Sequence, residues 1–151
     1  GDWNWMKLIQ NDLCDYTGID IVEPLIASNN ALYSNDKIKF VCSDMNSFMK
    51  SQADRSFDLV ILRHTMQHLP QDYCIEVCKE VLRISNYSFI TSGSQDVPNR
   101  DLNYSFETCR AITLGREPYN NLLGEPILKV YDSILEPRQS DYQEMWLFKH
   151  I

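Results

Sequence analysis

The chain alternates short strand-like runs with helical patterns from about residue 15 to residue 92. β-Branched and aromatic residues cluster at 15–21, Ile38–Cys42, Phe57–Leu62 and 87–91, and patterns typical of helices fill 23–33, 44–52 and 71–83. Parallel strands need a crossover of about this length, and that crossover is usually a helix. The alternation therefore predicts an α/β fold with a doubly wound, mostly parallel sheet.

Two segments refine this prediction. Phe57–Leu62 is almost continuously hydrophobic, which is typical of a central parallel strand covered on both faces. Near the C-terminus, 127–131 and 142–149 are strand-like segments that can close the sheet as an antiparallel hairpin. We expect one domain over residues 1–151.

Size, charge and cysteine content narrow the classes of protein. With 151 residues, 44% of them hydrophobic, the chain can bury a real core, and its net charge of −7 disfavours nucleic acid as a partner. No apolar run approaches the roughly 18 residues of a membrane span. Five cysteines without paired spacing fit reduced thiols, so we expect a cytoplasmic protein. The oligomeric state is left open.

Polar residues follow three of the predicted strands. Asp20 ends the first, Asp44 follows the second, and Arg63 and His64 follow the third. Ligands of open α/β sheets bind at the carboxyl ends of the strands, where an acid about 20 residues after a glycine loop can bind ribose hydroxyls. Asp20 lies 19 residues after Gly1. An isolated aspartate at such a position is also common as a turn or helix cap, so both roles stay open.

Four segments, in this order and spacing, resemble the class I S-adenosylmethionine-dependent methyltransferases, whose fold is Rossmann-like. Gly1-Asp2-Trp3 resembles the end of the family's glycine-rich motif, 16–21 its second strand with the ribose-binding acid, 43–45 the turn that contacts adenine, and 57–69 the fourth strand and its loop. The resemblance implies S-adenosylmethionine as cofactor. The cofactor-binding residues it implies are Gly1, Asp2, Asp20, Ile21, Asp44, Met45 and Arg63.

The family's first strand and the first glycines of its loop have no counterpart after Gly1. Without that strand, the strands at 15–21 and 57–62 would flank a gap. Each backbone group left unpaired there would cost about 1–3 kcal/mol. We therefore expect the native protein to carry the missing strand upstream of Gly1.

Methyl transfer from a sulfonium needs positioning more than acid–base chemistry. Where the acceptor is a hydroxyl or an amine, His64 is the candidate catalytic base, with His68 in the same loop as the alternative. His64 and His68 lack an evident third ligand, so no metal site is predicted. The acceptor is either a small molecule or a macromolecule. Two alternatives remain, an NAD-dependent oxidoreductase and a catalytically inactive methyltransferase-like binding module.

Overall fold

A computed structural model describes residues 3, 6–8, 14–66, 69–93, 121–131 and 143–150. The chain divides into two compact units, Gly1–Ser51 and Gln52–Ile151. Among the described residues, no helix has the length and hydropathy needed to cross a lipid bilayer.

The first unit is a β–α–β arrangement followed by a short helix. Its elements are a 3-10 turn at Met6–Leu8, β1 at Tyr16–Asp20, α1 at Glu23–Tyr33, β2 at Ile38–Cys42 and α2 at Met45–Lys50. β1 and β2 are parallel and in register from Tyr16 opposite Ile38 to Asp20 opposite Cys42, and α1 packs against both. Pro24, whose fixed φ suits a first helical turn, opens α1 as the sequence predicts.

Aromatic side chains form the core of this unit. The Trp3 ring lies 4.5 Å from the Tyr16 ring and 5.1 Å from the Phe40 ring between centroids, the second pair at 88°. Gly18 faces this cluster across from Phe40, and a Cβ there would lie 3.0 Å from ring atoms of both Phe40 and Tyr16. Glycine at this position therefore lets the Tyr16 and Phe40 rings pack closely over the β1–β2 pair.

The second unit contains a four-stranded sheet and one long helix. Its elements are β3 at Phe57–Leu62, α3 at Gln71–Ile84, β4 at Ser85–Gly93, β5 at Leu128–Tyr131 and β6 at Gln143–Lys149. The strand order is β3-β4-β6-β5, with β3 and β4 parallel and β6 antiparallel to both neighbours. The predicted α/β class and the C-terminal antiparallel pair are confirmed.

The core of the second unit lies on one face of this sheet. Leu62, Ile90 and Trp146 are in register across β3, β4 and β6, and none is more than 5% exposed. α3, which packs against β4, buries a stripe at helical spacing that consists of Cys74, Val77, Cys78, Val81 and Ile84. Burial raises the pKa of the Cys74 and Cys78 thiols to about 12, so both are neutral packing residues.

The prediction that β3 is covered on both faces needs correction. Leu59 is 45% exposed and pairs with Tyr87, which is 36% exposed, on the face opposite Leu62. A hydrophobic strand contains side chains that can be buried on both faces. Whether each face is buried depends on the elements that pack against it. β3 is therefore only partly covered on the face of Leu59, where Ile61 is half-buried.

Four strands, β1, β2, β3 and β5, have a single partner each within the part of the chain that the structure describes. β1 pairs with β2 alone and β3 pairs with β4 alone, among the strands that the structure describes. The predicted strand upstream of Gly1 lies outside the described residues and stays a prediction.

His150, just past β6, should make the stability of the protein depend on pH. Its Nε2 lies 3.0 Å from the Ser88 hydroxyl oxygen, and its buried Nδ1 has no hydrogen-bond partner among the residues that the structure describes. Burial, and secondarily the charge of Arg55, lowers the pKa of His150 below its ordinary value of 6.5. Between the folded and unfolded pKa values the unfolded chain binds more protons, so the free energy of unfolding falls as the pH drops below about 6.5 and levels off below the folded pKa.

Urea denaturation of the wild type and His150→Gln between pH 5.5 and 7.5 measures this dependence. The slope should be shallower in the variant, because glutamine does not titrate. His64→Gln, a change at a half-buried histidine, serves as the matched control. An identical slope in wild type and His150→Gln would contradict the assignment.

Candidate cofactor site

Asp20 occupies the carboxyl end of β1, where its carboxylate is held by the backbone. Its Oδ1 accepts the Val22 N–H at 3.0 Å, and its carbonyl oxygen accepts the Ser43 N–H at 3.0 Å. Burial acts to raise the pKa of the Asp20 carboxyl, whereas the hydrogen bonds from the backbone N–H groups of Val22 and Ile21 act to lower it. The side chain is therefore a negatively charged acceptor at neutral pH, with a fixed orientation.

Asp44 follows β2 and is the N-cap of α2. Its Oδ1 accepts the Ser47 N–H at 2.9 Å, and its carbonyl oxygen accepts the Phe48 N–H at 2.9 Å. The residue is exposed. Ionised carboxylates offer about four lone-pair sites on two oxygens, so capping by one oxygen orients the group and is compatible with a ligand at the other. Of the two roles left open for strand-end aspartates, capping is observed for Asp44, and ligand binding stays a prediction.

The two carboxylates lie at the same edge of the first unit. Asp20 is opposite Cys42, and the bond from Ser43 N–H to the Asp20 carbonyl continues the pairing one residue beyond the strands. Asp44 is the next residue. Ile21, at the same edge, is 72% exposed, which is unusual for an isoleucine and leaves apolar surface for a ligand to cover. Met45 is half-buried at the start of α2.

Arg63 and His64 follow β3 in the second unit, and both are half-buried. His64 has a φ of 53°, in the left-handed region that non-glycine residues rarely adopt. Its backbone N–H donates to the Thr91 hydroxyl oxygen at 3.1 Å, and the Thr65 hydroxyl donates to the Arg63 carbonyl at 3.2 Å. The carboxyl end of β3 is therefore a defined turn tied to β4.

Other predicted site residues are not placed. Gly1 and Asp2 lie outside the described residues, as does His68. Within the ranges that the structure describes, no three His, Cys, Asp or Glu side chains cluster in a way that could hold a metal ion. Sequence reasoning missed Thr91, because it lies 27 residues from His64 and no local pattern links the two.

Two substitutions of Asp44 should separate capping from ligand binding. Asp44→Ala removes the bond to Ser47 and should lower the free energy of unfolding by about 0.5–2 kcal/mol. Asp44→Asn keeps an N-cap oxygen, since asparagine caps as well as aspartate, and should leave stability nearly unchanged. Thermal denaturation of both variants measures the difference. Equal destabilisation by alanine and asparagine would show that the carboxylate charge, not the cap, stabilises α2.

A sequence profile of the methyltransferase domain family matches residues 2–88, more than half of the chain. The chain belongs to this methyltransferase family. The match confirms the resemblance to class I S-adenosylmethionine-dependent methyltransferases, and it spans both Asp20 and Asp44 as well as the turn at His64. No curated protein sequence matches the methyltransferase chain.

Solved structures share the fold of this methyltransferase domain at low sequence identity. Magnesium protoporphyrin IX methyltransferase from Synechocystis PCC 6803, solved with bound S-adenosylmethionine, superposes with a TM-score of 0.61 at 13% identity, over 89% of this chain and 59% of its own. The 1,6-didemethyltoxoflavin-N1-methyltransferase of Burkholderia thailandensis was solved with bound 1,6-didemethyltoxoflavin and S-adenosylhomocysteine. It superposes with a TM-score of 0.67 at 15% identity, over 89% of this chain and 60% of its own. The (4+2) cyclase SpnF superposes with a TM-score of 0.63 at 14% identity, over 84% of this chain and 49% of its own.

These structures establish the Rossmann-like fold of the methyltransferase domain. The chain spans about half to two thirds of their length. One of the three is named a cyclase, so the fold by itself does not specify the reaction. The reaction has to be argued from the residues of the site.

Proposed function

We propose that the carboxyl edge of β1 and β2 binds the adenosine half of S-adenosylmethionine. The Asp20 carboxylate accepts hydrogen bonds from the two ribose hydroxyls, and the Asp44 carboxylate accepts one from the adenine amino group. Ile21 and Met45 provide apolar surface against the nucleoside. The observation that carries this proposal is the presence of two carboxylates at one strand edge, each oriented by a backbone N–H.

The remaining site residues are assigned by the family resemblance. Gly1 and Asp2, as the end of the glycine-rich motif, are assigned to the same cofactor. The loop after the fourth strand of the family serves the methionine end of the cofactor and the acceptor, and the matching residues here are Arg63 and His64. We assign Arg63 to the cofactor and His64 to the acceptor.

The proposed reaction is an in-line displacement. The acceptor heteroatom forms a bond to the methyl carbon, the carbon–sulfur bond breaks, and the sulfur keeps the electron pair. The acceptor then loses a proton, which the imidazole of His64 can take. A base is needed only where the acceptor carries an O–H or N–H that is not already ionised.

We propose a small molecule as the acceptor. The two methyltransferases among the structures above are named for a magnesium porphyrin and a toxoflavin precursor, both small molecules. The net charge of −7 argues against a nucleic acid. The exposed Cys14 and the exposed Cys42 are free thiols, which supports a reducing compartment and hence the cytoplasm.

Calorimetric titration of the protein with S-adenosylmethionine and, separately, with NAD tests the proposed cofactor. Binding of S-adenosylmethionine alone is the expected result. Binding of NAD alone would favour an oxidoreductase, since an acid at a strand end also binds that ribose. Binding of neither would favour an inactive binding module.

A further inference from the structure

The turn after β3 contains a backbone conformation that its sequence does not favour. His64 has a φ of 53°, a region that glycine enters freely and that other residues enter at a free-energy cost. Strain of this kind persists where the surrounding structure over-determines it, and it is concentrated at functional sites. His64 therefore needs contacts that hold it in the left-handed conformation.

Thr91 on β4 makes a direct hydrogen bond to this residue. Its hydroxyl oxygen accepts the His64 N–H at 3.1 Å, just past the last β3–β4 pair, Leu62 with Ile90. Thr91 is only 3% exposed, and it is paired with Met145 of β6 on its other side. The Thr91 hydroxyl oxygen therefore belongs to an interior strand of the sheet, and it accepts the His64 N–H just beyond the last β3–β4 pair.

The left-handed conformation changes where the His64 side chain leaves the backbone. An extended residue at position 64 would continue the pleat of β3, whereas a positive φ turns the chain out of the sheet at this residue. Glycine would adopt the same turn with less strain, but it has no imidazole. The turn therefore combines a strained backbone with a titratable side chain at the ligand edge of the strand.

We propose that Thr91 is a positioning residue, whose hydroxyl keeps His64 in the left-handed turn so that its imidazole faces the methyl acceptor. This inference rests on the proposed function, in which His64 takes the acceptor's proton. It implies an acceptor that reacts through an O–H or N–H group.

The test compares Thr91→Val, which removes the acceptor oxygen, with Thr91→Ser, which keeps it. In isotope-labelled protein without ligand, exchange of the His64 amide proton with solvent should accelerate about tenfold in Thr91→Val and stay near the wild-type rate in Thr91→Ser. Unchanged exchange in Thr91→Val would overturn the proposal.

A second readout uses S-adenosylhomocysteine as the probe. Its addition should shift the ring resonances of His64 in the wild type and in Thr91→Ser, but not in Thr91→Val, while its affinity stays within about twofold because Asp20 and Asp44 are unchanged. The same ring shift in all three proteins would mean that Thr91 does not position the imidazole. If the wild type does not bind the probe, the proposed function fails, whereas the exchange measurement still decides whether Thr91 holds the turn.

A double-mutant cycle covers the case in which Thr91→Val folds poorly. Glycine is unstrained at a positive φ and its N–H still donates to Thr91, so Thr91→Val costs the His64→Gly turn the whole hydrogen bond, whereas the wild-type turn regains part of that loss by relaxing the strain at His64. Thr91→Val should then lower the urea midpoint more in His64→Gly than in the wild-type background. Equal shifts in the two backgrounds would overturn the proposal.

Discussion

Replacing Asp20 with asparagine should weaken the binding of S-adenosylmethionine about 100-fold while leaving the fold intact. Hydrogen bonds to a charged group contribute about 1.5–3 kcal/mol each, and the proposed pair to the ribose uses a carboxylate acceptor for both. Loss of about 3 kcal/mol corresponds to about 100-fold in affinity. The asparagine side-chain oxygen can still accept the Val22 N–H, so the turn after β1 should be preserved.

Calorimetry of wild type, Asp20→Asn and Asp36→Asn measures this effect. Asp36 is an exposed aspartate in the turn between α1 and β2, so its substitution makes the same change of charge in the same unit away from the site. Adenosine and 2′,3′-dideoxyadenosine serve as paired ligands. Asp20→Asn should lower the affinity for adenosine but not for 2′,3′-dideoxyadenosine. An equal loss of affinity for the dideoxy compound would contradict a contact between Asp20 and the ribose hydroxyls.

Phe148→Ala should lower the free energy of unfolding by about 3–5 kcal/mol, the range for truncation of a buried phenylalanine. Phe148 on β6 is completely buried, and its ring lies 6.3 Å from the Trp146 ring at 74°. It is also in register with Ser88 of β4, which is equally buried. Domains of this size unfold with only about 5–15 kcal/mol, so the variant should lose a large part of its stability.

Leu147→Ala is the matched control for this prediction. Leu147 is the preceding residue on the same strand, is half-buried, and lies on the opposite face of the sheet. Its truncation should lower the urea midpoint clearly less than Phe148→Ala does. Similar losses for both would show that the two faces contribute equally to the core.

The strand and helix positions were predictable because they depend on local patterns. Ile38–Cys42 and Phe57–Leu62 have the predicted bounds, and α3 ends one residue later than its pattern indicates. Pro24 in the first turn of α1 acts through its own geometry, which neighbouring residues cannot change. The β5–β6 pairing was also predictable, but the position of β6 between β4 and β5 was not, because strand order depends on contacts between distant segments.

The two acids of the candidate site were also predictable from local patterns. Asp20 and Asp44 were identified because each follows a strand, and parallel pairing brings the ends of β1 and β2 to one edge. The hydrogen bonds that orient the two carboxylates are short-range, between residues two or three positions apart. The sequence left such a turn or cap role open, but it did not identify the donors, the N–H groups of Val22 and Ser47.

Local sequence was sufficient for the elements, the parallel connections and the two strand-end acids, since these depend on residue type and spacing within about twenty positions. Tertiary packing alone decided which face of β3 is covered, the burial of His150 and the contact between His64 and Thr91. Each of these depends on which distant strand lies alongside. Such contacts stabilise the protein only once the sheet has formed, so a local sequence pattern cannot predict them.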